Sequence, residues 1–408
     1  MQIVNNLENP ITEKKENLLR PVILILSPFL PFPPRDGGKL KMYTAIKSLS
    51  DEYDIILLSF IEDVEEERFT IPLRIFCREV FTILRKPTSL TKRENDYFPK
   101  IVKAFYSQEF KNKLEETIKK YTIDILQTEY TFMAYYTKDI QDIPRILVEH
   151  DTSLFSLLHS YEKPLENGVF RKFSEWLKKV RFHRYAYEQF DKIIVFTEEE
   201  KKKIKRLVPD ADVSVIPIGL DLLTYNFPKR DNNQPLDLIF IGYMGHYPNV
   251  DGVFYFCDRI LPLIHSELPE VSLYIIGSSM EDRLLKLKER KNIYLLGEVE
   301  DIRLFLAKSK VFIAPLRYGG GLRVKILEAM AMGLPVVATS VASRGIRAIA
   351  NKEIIISDTP KKFAKDIIQL IQNENLRKEL GSNAHLAVRQ YYDSDKIKER
   401  FKFVYNFI

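Results

Sequence analysis

The stretch Val311 to Ser340, VFIAPLRYGGGLRVKILEAMAMGLPVVATS, constrains this chain more than any other. An apolar run, Val311 to Leu316, meets three consecutive glycines, Gly319, Gly320 and Gly321; a helix-forming segment, Leu322 to Met332, stops at Gly333 and gives way to a second apolar run, Pro335 to Thr339. The pattern predicts a strand, a helix and a parallel strand, entered through a glycine-rich turn. Glycines at such an entry let backbone come close to a ligand. The unpaired N–H groups and positive end of the helix dipole then favour an anion. Arg323 and Lys325 add two cations to the same turn, so a phosphate or diphosphate suits it. Glu328 lies between Leu327 and Ala329, where burying a carboxylate requires a cation or sugar hydroxyls as partner.

On these residues the stretch resembles the donor-binding segment of retaining glycosyltransferases of the GT-B fold, in particular family 4. That family carries two glutamates eight positions apart around the turn, followed by A-M-A-x-G-x-P-V-V. Glu328 and Ala329 to Val337 match the second glutamate and the tail, whereas the first glutamate is replaced by Gly320. The resemblance implies that Glu328 binds the nucleotide ribose, and that backbone at Gly320 and Gly321 takes over contact with the donor sugar.

With 408 residues the chain is long enough for two domains, each with its own core. A net charge of +6, from 62 basic and 56 acidic residues, gives no case for nucleic acid. Cys77 and Cys257 stand far apart without a motif and read as buried free thiols in a reducing compartment, and no cluster at ligand spacing points to a metal. Residues 1–20 read as a polar leader without a signal-peptide core, and no run reaches transmembrane length, so the expected location is the cytoplasm.

Val22 to Leu26 is an apolar run of the kind buried on both faces of a parallel sheet. A proline-stiffened loop follows and ends at Gly37 and Gly38, which open a helix over Leu40 to Leu49. The pair resembles the first loop of a GT-B N-terminal domain, which faces the donor; a plain turn is the alternative. Arg35 and Lys39 are candidates for phosphate or acceptor contact, or for solvent. Residues 61–120 are harder to read, and the lysine-rich helix Phe110 to Lys120 is either a solvated face or a contact with an anionic membrane surface. Phe170 to Gln189, with Trp176 among basic residues, either lies on a membrane or packs on its own domain.

Strands are expected at Ile123 to Gln127 and Arg145 to Val148, so Glu129, Tyr130 and His150 fall beyond strand ends, where α/β sheets gather ligands. His150 matches a family histidine that contacts donor sugar and phosphate; a structural role is the alternative. Val213 to Asp221 resembles the segment that closes the family's first domain, with Ile218 in place of asparagine.

Residues 226–237 read as a linker. The following strand, Leu238 to Ile241, runs into Gly242, yet the arginine and lysine with which the family clamps the diphosphate are absent from Gly242 to Phe256. Arg323 and Lys325 are the natural substitutes. Tyr247-Pro248-Asn249-Val250-Asp251 is similar to a branch that assembles surface polysaccharides and adds Asn249 to the donor-binding candidates. Val299, after the strand Ile293 to Gly297, belongs to a turn that borders the nucleobase in the family.

These readings give an α/β GT-B chain of two Rossmann-like domains facing across a cleft. Its parts are a leader at 1–20, an acceptor-side domain at 21–225, a linker at 226–237, a nucleotide-sugar domain at 238–390 and a C-terminal helix at 391–408 that crosses back to the first domain. The implied activity is metal-independent, retaining transfer of a hexosyl unit from a UDP- or GDP-sugar to a glycan or lipid-linked acceptor, with possible peripheral contact at the inner face of the membrane and no cofactor. His150, Arg323 and Lys325 would serve catalysis, while Gly37, Gly38, Gly242, Asn249, Val299, Gly320, Gly321 and Glu328 would bind the donor. An inactive GT-B binding subunit and a nucleotide-sugar epimerase share these features and stay open as alternatives.

Overall fold

A computed structural model describes residues 20–34, 36–86, 98–150, 169–225 and 236–406. Most of the leader, Arg35 and residues 226–235 of the linker lie outside the described residues. The first half is built from β1 (Val22–Ser27), α1 (Gly37–Leu49), β2 (Asp54–Ile61), β3 (Glu79–Leu84), α2 (Gln108–Lys120), β4 (Ile125–Glu129), β5 (Arg145–Val148), α3 (Val169–Gln189), β6 (Lys192–Val195), α4 (Glu198–Leu207) and β7 (Val213–Val215). The second comprises β8 (Leu236–Ile241), α5 (Tyr247–Tyr255), β9 (Leu273–Ile276), β10 (Ile293–Gly297), β11 (Ser309–Ala314), α6 (Val324–Ala331), β12 (Val336–Ala338), β13 (Ile355–Ile356), α7 (Pro360–Gln372) and α8 (Glu374–Tyr391). The last helix is α9 (Ser394–Tyr405).

Every ladder is parallel, in the orders β3-β2-β1-β4-β5-β6-β7 and β10-β9-β8-β11-β12-β13. All six residues of β1 are buried, as a continuous apolar strand covered on both faces must be. Two parallel sheets with helices, joined into a two-domain α/β chain, make the GT-B architecture. In each sheet the strand order reverses at one place, between β1 and β4 in the first and between β8 and β11 in the second. The loops leaving those neighbours diverge and open a crevice at their carboxyl ends.

Several boundaries differ from the sequence expectation. Asp36 caps α1 by accepting the Lys39 N–H at 2.9 Å, which starts the helix at Gly37 instead of Leu40. The fourth strand runs two residues later than expected and takes Glu129 into the sheet. The strand β3, within the segment that resisted reading, is a short edge strand with only two buried residues. The crossover helix expected at 391–408 begins at Ser394, and Leu220 N–H donating to Tyr392 O at 2.7 Å and Ser394 N–H to Leu220 O at 3.0 Å mark its break from α8. After that break α9 returns to the first sheet, burying Ile397, Phe401 and Tyr405 in one cluster with Ala45, Ile46, Leu49 and Ile55.

Candidate active site

The loops after β1, β8, β9, β10 and β11 wall a cleft of about 2200 Å³. Gly37, Gly242, Asn249, Val299, Arg323, Lys325 and Glu328 are among its lining residues, as is Lys39. Gly38, His150, Gly320 and Gly321 do not form its wall.

Two helix starts converge here. A Cβ at Gly37, on the first turn of α1, would stand 3.3 Å from the Val324 side chain, the first residue of α6. The positive ends of two helix dipoles from the two domains thus face one region.

The glycine-rich turn is locked by its own arginine. Gly319 and Gly321 have φ of 108° and 75°, in the left-handed region where a side chain is strained. Arg323 bends back over them: its Nη1 donates to Gly320 O and its Nη2 to Tyr318 O at 3.4 Å. Burial, with a lesser push from Arg344, brings the guanidinium down to about 10, so it stays charged at neutral pH. Among the described residues its Nε is buried without a hydrogen-bond partner.

On α6, Lys325 Nζ lies 2.9 Å from Glu328 Oε2. The other Glu328 oxygen accepts the Tyr225 hydroxyl at 3.0 Å. Burial first, then the charge of Glu328, raise the Tyr225 phenol above its ordinary range. Arg303 pins the segment carrying that tyrosine, gripping Asp301 and donating to Thr224 O at 2.9 Å. Tyr225 and Arg303 both line the cleft, and sequence reasoning singled out neither. Tyr225 is the last residue before the linker, so no local pattern marks it. The Asp301-x-Arg303 spacing at a helix cap was the one available signal for the arginine.

Asn249 braces the loop after β8, its Nδ2 donating to Tyr243 O at 2.8 Å and its amide packing on Gly242. Gly277 abuts the Gly242 carbonyl so closely that no Cβ fits.

On the first-domain side, His150 Nε2 and Glu129 Oε2 are 2.5 Å apart, with both side chains buried. Tyr130 covers the imidazole, ring on ring at 4.2 Å and 17°. That tyrosine holds φ of 66°, unusual for a residue with a Cβ, and its hydroxyl leaves no room for a side chain at Gly38. Burial holds the imidazole below the ordinary histidine range, opposed by Glu129.

The sequence matches the family of glycosyl transferases group 1 over residues 235–373 and glycosyltransferase family 4 over residues 73–222. The chain belongs to the group 1, family 4 glycosyltransferases. A 44.6 kDa protein in the cps region of Klebsiella pneumoniae is 24% identical over 92% of this chain and 97% of its own length. The capsular polysaccharide biosynthesis glycosyltransferase CapM of Staphylococcus aureus is 30% identical over 52% of this chain and 61% of its own. Among solved structures, Anabaena HepE in complex with UDP-glucose superposes with a TM-score of 0.69 at 14% identity, covering 95% of this chain and all of that one.

In this glycosyltransferase the two cysteines are free and buried, and burial raises both thiols to about 12. No described helix is long and apolar enough to cross a membrane.

Proposed function

We propose that this glycosyltransferase moves a hexosyl unit from a UDP- or GDP-sugar to an acceptor hydroxyl with retention, in the assembly of a surface polysaccharide. The observation that carries the reading is the buried Glu328, held between Lys325 and Tyr225 directly behind the glycine-rich turn. A carboxylate so placed suits the paired hydroxyls of a ribose, which can donate to both its oxygens.

The leaving diphosphate would lie before the converging starts of α1 and α6. Those N–H groups, with Arg323 and Lys325, would stabilise its developing charge in place of a metal. Both cations are engaged within the protein, so donor entry would draw Lys325 from Glu328 toward phosphate while Arg323 keeps the turn in shape. Gly242, Asn249 and Val299 would border the nucleotide. His150 would meet the sugar after Tyr130 shifts, completing the site as the domains close. The name of the S. aureus relative, and the cps region of the Klebsiella one, support a glycan acceptor, which would be free or lipid-linked. Peripheral contact of the lysine-bearing helix α2 with an anionic membrane surface, on the cytoplasmic side, would bring the enzyme to such an acceptor.

Nucleotide release from a panel of UDP- and GDP-sugars, with and without a membrane extract as acceptor source, tests this reading. Release that requires one donor and the extract, and vanishes in Glu328→Ala, is expected. Binding without release under every condition would favour a non-catalytic assembly subunit.

A further inference from the structure

A continuous polar chain runs through the first-domain core behind the cleft. Tyr405, near the end of α9, donates its hydroxyl to Gln127 Oε1 at 2.5 Å. Gln127 Nε2 donates to Glu129 Oε1 at 2.5 Å, and Glu129 Oε2 meets His150 Nε2 at 2.5 Å. None of the four residues is more than 7% exposed. Gln127 and Glu129 are two apart on β4, so they share the face that α9 covers, together with Ile125.

The direction of each bond follows from one end of the chain. A carboxylate only accepts, so the nitrogens of Gln127 and His150 must both donate to Glu129. The Gln127 oxygen then points away from Glu129, toward the Tyr405 hydroxyl, which anchors the amide in that orientation. With its Nε2 bearing the proton, a neutral His150 presents Nδ1 as a lone-pair acceptor. Among the described residues that atom is buried and has no hydrogen-bond partner. A network kept only for packing would have no need of an unsatisfied nitrogen at its end.

We propose that Tyr405 is a positioning residue for sugar transfer: through Gln127 it holds the Glu129 carboxylate against His150 Nε2–H, and so orients the imidazole with Nδ1 left to accept a hydrogen bond from a donor-sugar hydroxyl. The inference rests on the reading of His150 as a donor contact. It makes α9 part of the apparatus that orients the histidine. Lys41 on α1 and Glu200 on α4 also act on the imidazole, and Tyr53 acts on Tyr405, so none of these should be altered in the test.

The test compares Tyr405→Phe and Gln127→Met with wild type in the full chain. Steady-state turnover is measured for the active donor, and ¹⁵N-histidine spectra are assigned by the signal lost in His150→Ala. The expected result is a roughly tenfold fall in kcat with donor KM within about twofold, as for a lost hydrogen bond that acts in the transition state. The His150 Nε2–H signal should shift as its bond to Glu129 weakens, with the tautomer kept by the carboxylate, and Tyr405→Phe should cost nothing further in the His150→Ala background. An unchanged Nε2–H signal, or an equal loss of kcat in that background, would overturn the proposal. If Tyr405→Phe does not fold, Gln127→Met carries the same measurements. A wild type without turnover on any donor would defeat the transferase reading, while the histidine spectra would still decide whether Tyr405 holds the Glu129–His150 bond.

Discussion

Lys325 and Glu328 form an ion pair at 2.9 Å, one turn apart on α6, at the mouth of the glycine-rich turn. The lysine is a third exposed and the glutamate almost fully buried, so the pair has a fixed member and a movable one. Rotating Lys325 toward an incoming phosphate would free Glu328 for a ribose without moving the backbone.

Removing the fixed member should therefore weaken nucleotide binding itself. Hydrogen bonds to a charged group contribute about 1.5–3 kcal/mol, so Glu328→Ala should lower UDP or GDP affinity by about 10- to 100-fold. Isothermal titration with the free nucleotide measures this directly. Equal affinity in variant and wild type would remove Glu328 from the ribose.

The two cations should separate in their effects. Arg323→Ala leaves the Gly320 and Tyr318 carbonyls without their donor, so it should lower both folding stability, by about 1–2 kcal/mol, and donor affinity. Lys325→Ala should mainly lower donor affinity and flatten its dependence on salt. Urea titrations run beside nucleotide titrations at two ionic strengths distinguish them. A shared profile would mean that both act only through the shape of the turn.

The buried His150 should make the protein acid-sensitive. Its folded pKa lies below the ordinary 6.5, so the unfolded chain binds the proton more readily and stability falls as pH drops below about 6.5 toward the folded value. His150→Phe has no such proton to exclude. The stability advantage of wild type over this variant should shrink between pH 7 and pH 5 in urea titrations. A gap independent of pH would show that the imidazole is not held neutral.

Gly38 and Tyr130 should be coupled. A methyl at Gly38 overlaps the Tyr130 hydroxyl, and overpacking of this kind costs about 1–3 kcal/mol. Gly38→Ala should lose that much, and adding Tyr130→Phe should restore most of it. Additive losses in the double variant would place the strain elsewhere.

What the sequence discloses is what its neighbours in the chain can determine. The strand, the glycines at 319 to 321, and Glu328 within apolar residues form one contiguous pattern, and the structure keeps them as one unit. His150 was legible as a residue beyond a strand end, but its burial under Tyr130 was not, because the cover comes from the loop after another strand. Arg323 read as a cation for phosphate, and nothing local could show that it would turn onto the carbonyls of its own loop. Tyr225 and Arg303 meet near Glu328 only through the folding of three separate segments. The strand β3 escaped notice because EVFTIL, at a sheet edge, mixes polar and apolar residues without strict alternation.

The return of α9 to the first sheet also fixes an order of events during synthesis. The apolar face formed by Ala45, Ile46, Leu49 and Ile55 is made early, but its cover is encoded at the far end of the chain. Residues 226–393 must be translated in between, which at 5–20 residues per second takes roughly 10–30 s. Through that interval the first domain on the ribosome carries an open hydrophobic face, a binding surface for chaperones that closes only once α9 has been made.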